Sequence, residues 1–190
     1  DGSIGDDGRI YIGEVYGDSA ADDMQRIQIR ETILSHLQKE EALFRRGIKC
    51  LSLFFIDQVA KYRDLSGNGE TVGYGKIFEE EYEGIVSDRL KHPTQDDILD
   101  PSYAQYLGRF EARSVHSGYF SVDKKGNAVE SKAEKKAERE DGIGINDDDA
   151  KRAYDLILRD KERLLSFDEP VRFIFSHSAL REGWDNPNIF

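Results

Sequence analysis

The chain alternates between short apolar runs and longer stretches in which apolar residues recur every three or four positions. Residues 48–56 and 171–175 form almost unbroken apolar runs, a pattern typical of parallel strands that are covered on both faces. A third run over 115–122 predicts one more strand. Helical spacing marks residues 22–46 and the stretch from about 147 to 165. This order predicts an α/β fold in which right-handed crossovers make the three strands parallel, with 48–56 as a central strand.

Capping and turn residues sharpen these boundaries. The helix over 22–46 is expected to end at Gly47, and Asp57 is placed to cap a helix over 58–64. The apolar stripe expected to pack this first helix against the core consists of Met24, Ile27, Ile33, Leu34 and Leu37.

Residues 65–113 interrupt the alternation of strands and helices. Helices are expected over 77–90 and 103–110, after a flexible linker formed by Gly67, Gly69, Gly73 and Gly75. The connection is long for a crossover between parallel strands, which indicates an insertion. Two interpretations are open for its aromatic residues, and the acidic surroundings favour a small satellite core over a stacking platform for single-stranded nucleic acid. These aromatic residues are Tyr82, Tyr103, Tyr106 and Phe110.

Four segments therefore organise the chain. Residues 1–21 predict an N-terminal strand or hairpin, and residues 22–64 a helix followed by a strand–helix unit. The insertion over 65–113 separates these from residues 114–190, which complete the sheet. The chain begins without Met and stops in an apolar stretch, so we expect it to be a fragment of a larger protein.

Composition limits the functional classes. The chain has 190 residues, 38% of them apolar and 34% charged. This length is enough for one domain with a core. The chain has no apolar run of membrane-spanning length and no secretory signal, and Cys50 is its only cysteine, so we expect a cytoplasmic protein without a membrane partner. The net charge of −11 predicts weak nucleic-acid binding by the chain alone.

The sequence FSHSALREGWDNPN, residues 175–188, resembles motif V of superfamily 2 helicases and translocases. Within that group, the sequence is most similar to the version of motif V found in the Res subunits of type III restriction enzymes. Residues 24–64 and 115–122 are similar, less closely, to the motif IV and IVa regions of the same motors. The resemblance implies an incomplete RecA-like C-terminal lobe of an ATP-driven DNA translocase that also carries a nuclease module.

The second half of this motif approaches ATP in the family. On this chain the resemblance implies that Gly183 allows close approach and that Asp185 accepts a hydrogen bond from the ribose. Arg181 and Glu182 are further candidates, which would pair across the interface between the two lobes. The structural alternative is a plain strand-to-helix turn with Asp185 as a cap.

The first half of the motif contacts a nucleic-acid phosphate in the family. The resemblance leaves open whether Ser176, His177 or Ser178 makes this contact here. Asp57 and Gln58, after the motif IV strand, and His116, at the start of the next strand, are additional DNA-side candidates. Helix capping and solvation are about as open for Asp57 and Gln58, whereas a lone histidine at the start of a strand is more often structural.

The machinery for ATP hydrolysis is incomplete in this sequence. It contains no G-x-x-x-x-G-K-[ST] phosphate loop, no cluster at zinc-ligand spacing and no credible nuclease site. Residues 168–170, Asp-Glu-Pro, resemble a magnesium box, but the apolar strand follows the acids instead of preceding them, so we interpret them as a turn. We expect no catalytic residue and no metal site in the chain, and no ATP hydrolysis by the chain alone.

The parent implied by the resemblance uses ATP and Mg²⁺ as cofactors. Its implied partners are double-stranded DNA, the first RecA-like lobe and a modification (methyltransferase) subunit. Two alternatives remain at this point: a lobe of another superfamily 2 repair or RNA helicase, and an acidic protein-docking module.

Overall fold

A three-stranded parallel sheet forms the centre of the molecule. The computed structural model describes residues 17–64, 71–120, 152 and 155–177, with side chains from residue 22 onward except at position 158. Its strands are β1 (Ser52–Phe55), β2 (His116–Tyr119) and β3 (Phe173–Ser176), in the order β1-β3-β2. Both outer strands run parallel to β3. The predicted α/β fold with three parallel strands is therefore confirmed.

The central strand β3 is buried on both faces. Phe173 and Phe175 belong to one apolar cluster, and Ile174 belongs to a second cluster on the opposite face. This double burial explains why the sequence shows an unbroken apolar run here instead of alternation. The prediction of 48–56 as a central strand is wrong for the described sheet, because β1 pairs with β3 alone and lies at its edge.

Helices cover both faces of the sheet. Helices α1 (Gly17–Phe44), α2 (Gly73–Lys91) and α4 (Ser102–Leu107) contribute to the cluster around Phe173, whereas α5 (Lys161–Leu164) contributes to the cluster around Ile174. None of the helices in the described part of the chain has the length and apolarity needed to cross a bilayer. The helices are α1 (Gly17–Phe44), α2 (Gly73–Lys91), α3 (Gln95–Leu99), α4 (Ser102–Leu107) and α5 (Lys161–Leu164), with 3-10 turns over Val59–Lys61 and Ala112–Ser114 and a π-helical turn over Asp155–Arg159.

Helix α1 exists as predicted but buries a different face. It begins at Gly17, inside the segment expected to form a strand or hairpin; the rest of that segment, residues 1–16, lies outside the described residues. Its buried positions are Ile29, Ile33, His36 and Glu40, whereas Met24, Ile27 and Leu34 of the predicted stripe are exposed. The apolar-stripe prediction is wrong for these three residues, because the helix turns a histidine and a glutamate towards buried partners. Gly47 has φ +70° and ends the helix as expected.

The segment after β1 does not form the expected helix. Only the 3-10 turn over Val59–Lys61 is present, and Gln58 occupies the position before it without a side-chain cap. The Asp57 carboxylate accepts hydrogen bonds from Lys61 Nζ at 2.6 Å and from Tyr74 Oη at 3.0 Å. The predicted cap is wrong, because Asp57 binds side-chain donors instead of the backbone of a helix.

The insertion is part of the main core. Tyr82, Tyr103 and Tyr106 belong to the cluster that contains Phe173, and Phe110 packs against it. The satellite-core prediction is therefore wrong, and these three buried rings leave no face open to a nucleic-acid base. Helix α2 also pairs with α1, because the Arg26 guanidinium donates to Glu80 at 2.8 Å and to Glu81 at 2.7 Å.

Two of the glycines assigned to a flexible linker begin α2 instead. Gly73 has φ +45°, and a Cβ there would collide with the carbonyl oxygen of Lys61. A Cβ on Gly75 would come within 2.9 Å of the Tyr62 carbonyl oxygen. These glycines therefore allow close approach of two backbone segments. Gly67 and Gly69 lie outside the described residues.

The helix predicted to end near residue 165 is interrupted. The π-helical turn over Asp155–Arg159 is followed by the separate helix α5, and the Asp160 carboxylate between them accepts a hydrogen bond from the Arg163 amide at 3.2 Å. An aspartate that caps a new helix competes with continuation of the preceding one. A continuous helix is thus wrong for residues 155–164.

Candidate functional site

The carboxyl end of the sheet brings together four of the predicted site residues. Phe55 and Ser176 are aligned across β1 and β3, and the Ile56 amide donates to the Ser176 carbonyl at 2.9 Å. Asp57 and Gln58 therefore leave β1 beside the position where His177 leaves β3. In open parallel sheets, this edge is where ligands bind.

Ser176 and His177 have unused hydrogen-bonding atoms. The Ser176 side chain is fully buried, and its Oγ has no hydrogen-bond partner among the described residues. His177 is half-buried, and its Nδ1 likewise has no partner within that set. Buried polar atoms are nearly always paired in folded proteins, so each such exception indicates a functional or a hydrated position. Tyr106 Oη and Arg172 Nε are further exceptions in the core, away from this edge. The two exceptions at consecutive residues make the end of β3 a candidate for ligand contact.

Asp57 carries a negative charge at this edge. The Lys61 ammonium, which binds its carboxylate, lowers the pKa of Asp57, and Tyr74 assists. The same contact raises the pKa of Lys61. Both side chains are exposed or half-buried, so water screens this pair and its contribution to stability is small. The Asp57 carboxylate is therefore already paired with the Lys61 ammonium. A phosphate that approached this edge could bind Lys61 only in competition with Asp57.

A groove of about 360 Å³ lies beside Asp57. Its floor comes from the ends of β1 and β3, with Phe55 and Phe175, and its walls come from α1 and from Tyr74. Phe55 is 54% exposed, which is unusual for a phenylalanine in a strand. The groove shows that the carboxyl end of the sheet is open in the described part of the molecule.

His116 lies at the opposite end of the sheet. It is aligned with Phe173, at the amino end of β2. That position is about 10 Å along the strand direction from Ser176. Its ring is buried; Nδ1 lies 2.8 Å from Tyr62 Oη and Nε2 lies 3.1 Å from Glu79 Oε1. Burial lowers the pKa of His116, against the opposing effect of Glu79. The structure therefore does not bring His116 together with the other DNA-side candidates.

The remaining predicted site residues lie outside the described residues. They are Ser178 on the DNA side and Arg181, Glu182, Gly183 and Asp185 on the ATP side. Their assignment stays a prediction from the sequence resemblance.

A buried ion pair at the amino end of β3 was missed by the sequence analysis. Arg172 and Glu40 are both fully buried, and Arg172 Nη1 donates to Glu40 Oε2 at 2.7 Å. Arg172 Nη2 also donates to Tyr82 Oη, and Tyr103 Oη donates to Glu40 Oε2 at 3.1 Å. His36 completes the network, with Nε2 at 3.3 Å from Glu40 Oε1 and Nδ1 at 2.7 Å from Ser52 Oγ. We call these six residues the buried polar network.

The ionisation of this network follows from its contacts. Burial by itself raises the pKa of Glu40, but Arg172 and then His36 outweigh it and leave the pKa lowered, so the carboxylate is charged. Burial would lower the pKa of Arg172, and the Glu40 charge raises it instead. The pKa of His36 is lowered because burial exceeds the effect of Glu40. The network therefore holds one charged pair and a neutral histidine.

One sequence signal for this network was available. Ile29, Ile33, His36 and Glu40 follow helical spacing, so a histidine and a glutamate occupy positions that an apolar face would fill. A charged residue at such a position must be paired when it is buried. The sequence gives no indication of the partner, because Arg172 is 132 positions away.

The Asp-Glu-Pro segment forms a turn, as predicted. Asp168 binds Arg109 at 3.0 Å, and Glu169 binds Arg163 Nε at 3.0 Å. The Lys49 ammonium, which is almost fully buried, donates to the backbone carbonyls of Leu164 and Ser166 at 2.9 Å and to that of Glu169. Within the described residues, no group of three or more His, Cys, Asp or Glu side chains is arranged to hold a metal ion.

Comparisons with known proteins identify relatives over nearly the whole chain. The Res subunits of the type III restriction-modification enzymes EcoPI, from Escherichia phage P1, and EcoP15I, from Escherichia coli, are each 41% identical over 177 residues. Each alignment covers 92% of this chain and 15% of the relative. The StyLTI Res subunit from Salmonella typhimurium is 32% identical over 184 residues, which is 87% of this chain and 17% of the relative. No family model and no solved structure matches the chain.

Proposed function

This chain belongs with the Res subunits of type III restriction-modification enzymes, as a segment related to about 15% of their length, and from that premise we propose that it is part of an ATP-dependent DNA translocase motor. The observation that carries the proposal is the 41% identity over 92% of the chain. Its parallel sheet, which resembles a RecA-like lobe, supports the same conclusion.

The carboxyl end of β3 is the coupling element in this proposal. Ser176, His177 or Ser178 contacts a DNA phosphate, and the unpartnered Ser176 Oγ and His177 Nδ1 support this assignment. Asp57 and Gln58 adjoin the same edge and would contact the same strand of DNA. His116 remains a DNA-side candidate from sequence, but its buried position supports a structural role instead.

The ATP side of the element lies after β3. Gly183 allows the backbone to approach the nucleotide closely, and Asp185 binds the ribose. Arg181 and Glu182 pair across the interface with the first RecA-like lobe.

The parent enzyme in this proposal uses ATP and Mg²⁺, which bind mainly to residues beyond this chain. It is a hydrolase that acts on ATP and DNA, as translocase and endonuclease, with a modification (methyltransferase) subunit as its partner. The proposed location is the cytoplasm. The chain by itself has no phosphate loop, and we propose that it neither hydrolyses ATP nor cleaves DNA.

The test is the substitution Asp185→Ala in a full-length Res subunit that contains this segment. We expect the rate of DNA-stimulated ATP hydrolysis to fall at least tenfold, because a nucleotide contact is lost, with binding of the modification subunit unchanged. Asp23→Ala is the matched control, since Asp23 is exposed on α1 and has no partner among the described side chains.

Unchanged ATP turnover in Asp185→Ala would contradict the motor proposal. Loss of modification-subunit binding with normal turnover would instead support the docking-module alternative. A purified 190-residue chain with ATPase activity above the blank would contradict the proposed inactivity of the chain alone.

A further inference from the structure

A second cavity lies at the amino end of the sheet, away from the proposed coupling element. Its volume is about 520 Å³, and its walls come from the segments before β2 and β3 and from the π-helical turn. Four arginines line it, namely Arg63, Arg113, Arg152 and Arg163. This is a concentration of positive charge in a chain whose net charge is −11.

The carboxylates that line the same cavity are already engaged. Glu169 binds Arg163 Nε at 3.0 Å, and Asp155 binds Arg159 at 3.0 Å. Asp160 accepts the Arg163 amide at 3.2 Å, which caps α5. These contacts satisfy the negative charges locally and remove Arg163 from the groups available to a ligand.

Two of the lining arginines remain available. Arg113, in the 3-10 turn before β2, and Arg152 are both exposed, and their guanidinium groups have no acceptor among the described residues. Ser117 adds a half-buried hydroxyl to the wall. His116 also lines the cavity, but both its ring nitrogens are used by Tyr62 and Glu79. The free donors of this cavity are thus mainly guanidinium groups.

We propose that this cavity binds a phosphate group between Arg113 and Arg152. The planar guanidinium fork presents paired N–H donors that match two phosphate oxygens, and such charge-assisted bonds are among the strongest in proteins. Positive charge of this kind is needed locally, because the acidic molecule as a whole repels anions. The proposal concerns the end of the sheet opposite Ser176 and does not rest on the motor assignment.

Titration calorimetry with inorganic pyrophosphate tests the site on this 190-residue chain at low ionic strength. We expect a single site in the wild type. Arg113→Gln and Arg152→Gln should each weaken binding about tenfold, since each removes one charged donor pair. The double variant should lose binding altogether. Circular dichroism should show that the variants fold, because both side chains are exposed.

Arg46→Gln is the matched control. Arg46 is exposed after α1, its guanidinium has no acceptor among the described residues, and it does not line the cavity. The control removes the same charge and should leave pyrophosphate affinity within twofold of wild type. Equal weakening by Arg46→Gln would show diffuse attraction and overturn the site, as would undiminished binding by the double variant or no binding by the wild type.

A second titration distinguishes the source of the phosphate. A short single-stranded oligonucleotide without terminal phosphates presents phosphodiesters only. Binding that is lost in the double variant would assign the cavity to a nucleic-acid backbone. Pyrophosphate binding without oligonucleotide binding would assign it to a free phosphate compound, and both results support the site.

Discussion

The two ends of β3 differ in how their buried polar side chains are paired. At the amino end, Arg172 Nη1 and Nη2 donate to Glu40 and Tyr82, and Ser52 on the neighbouring strand is paired with His36, whereas Arg172 Nε has no partner among the described residues. At the carboxyl end, Ser176 Oγ is equally buried but has no partner among the described residues. The contrast indicates that the charged pair of the buried polar network fixes the position of the strand at its amino end, whereas the Ser176 hydroxyl makes no such contact among the described residues.

This difference has a physical basis. A buried charge that loses its partner costs several kcal/mol, so a paired charge enforces one arrangement of the elements that supply it. Glu40 belongs to α1, Tyr82 and Tyr103 to the insertion, and Arg172 to the segment entering β3. The network therefore joins α1, the insertion and the segment entering β3 at one end of the sheet.

The largest effect is expected from breaking the ion pair. Glu40→Gln leaves the Arg172 charge buried without its counter-ion, so the free energy of unfolding of this chain should fall by about 3–5 kcal/mol. Urea denaturation measures this change. The control is Glu83→Gln, on the exposed side of α2. It should change the free energy of unfolding by less than about 0.5 kcal/mol.

A double-mutant cycle identifies the origin of that loss. Combining Glu40→Gln with Arg172→Met removes both charges, so the double variant should be more stable than the sum of the two single losses predicts. Strictly additive losses would contradict a direct interaction between the two side chains.

An intermediate effect is expected from Lys49, and it depends on pH. Burial lowers the pKa of Lys49 to about 8 from its ordinary 10.5. Between these values the folded chain binds fewer protons than the unfolded chain, so raising the pH stabilises the wild type. Lys49→Met lacks this titration. The stability advantage of the wild type over this variant should therefore grow by about 2 kcal/mol from pH 8 to pH 10.

Urea denaturation at a series of pH values follows this advantage, and the other titrating groups cancel in the difference. The exposed Lys91 supplies the control. The stability difference between the wild type and Lys91→Met should stay within about 0.5 kcal/mol over the same range. A constant difference for Lys49→Met as well would mean that Lys49 titrates alike in the folded and unfolded states.

The smallest effect comes from two serines at opposite ends of the sheet. Ser52→Ala removes the 2.7 Å hydrogen bond of His36 Nδ1 and leaves it a weak contact with Cys50 Sγ at 3.9 Å. This loss should cost about 1–2 kcal/mol. Ser176→Ala removes a hydroxyl that has no partner in the described structure. Its effect on stability should be less than about 0.5 kcal/mol. Equal losses in thermal or urea denaturation would contradict the difference between the two ends.

Much of the fold was predictable from local patterns. Strand β3, the helices α1, α2 and α4, and the turn at Asp168 lie where the sequence places them. The stripe on α1 and the linker at Gly73 were wrong for one reason, because segments elsewhere in the chain decide what these residues contact. The cap at Asp57 was wrong because the side chains of Lys61 and Tyr74 bind its carboxylate. Gly73, for example, passes against the backbone of Lys61 and does not provide flexibility.

The candidate site was predictable only in part. Ser176 and Asp57 were both assigned to the DNA side by resemblance, and they do lie at one edge of the sheet. His116 was assigned to the same function from its position next to a strand, but its strand presents it at the other end, where Tyr62 and Glu79 bind it. A residue lies at the carboxyl edge of the sheet only if it stands at the carboxyl end of its strand, and His116 stands at the amino end.

By itself, the sequence determined the α/β class and the parallel strands, because unbroken apolar runs require cover on both faces of a sheet. It also determined the relationship to Res subunits, since identity is a property of residues and not of their arrangement. Only the tertiary structure decided which charged and aromatic side chains are buried together. Their partners are separated by up to 132 positions in the chain, and local periodicity carries no information about a partner that far away.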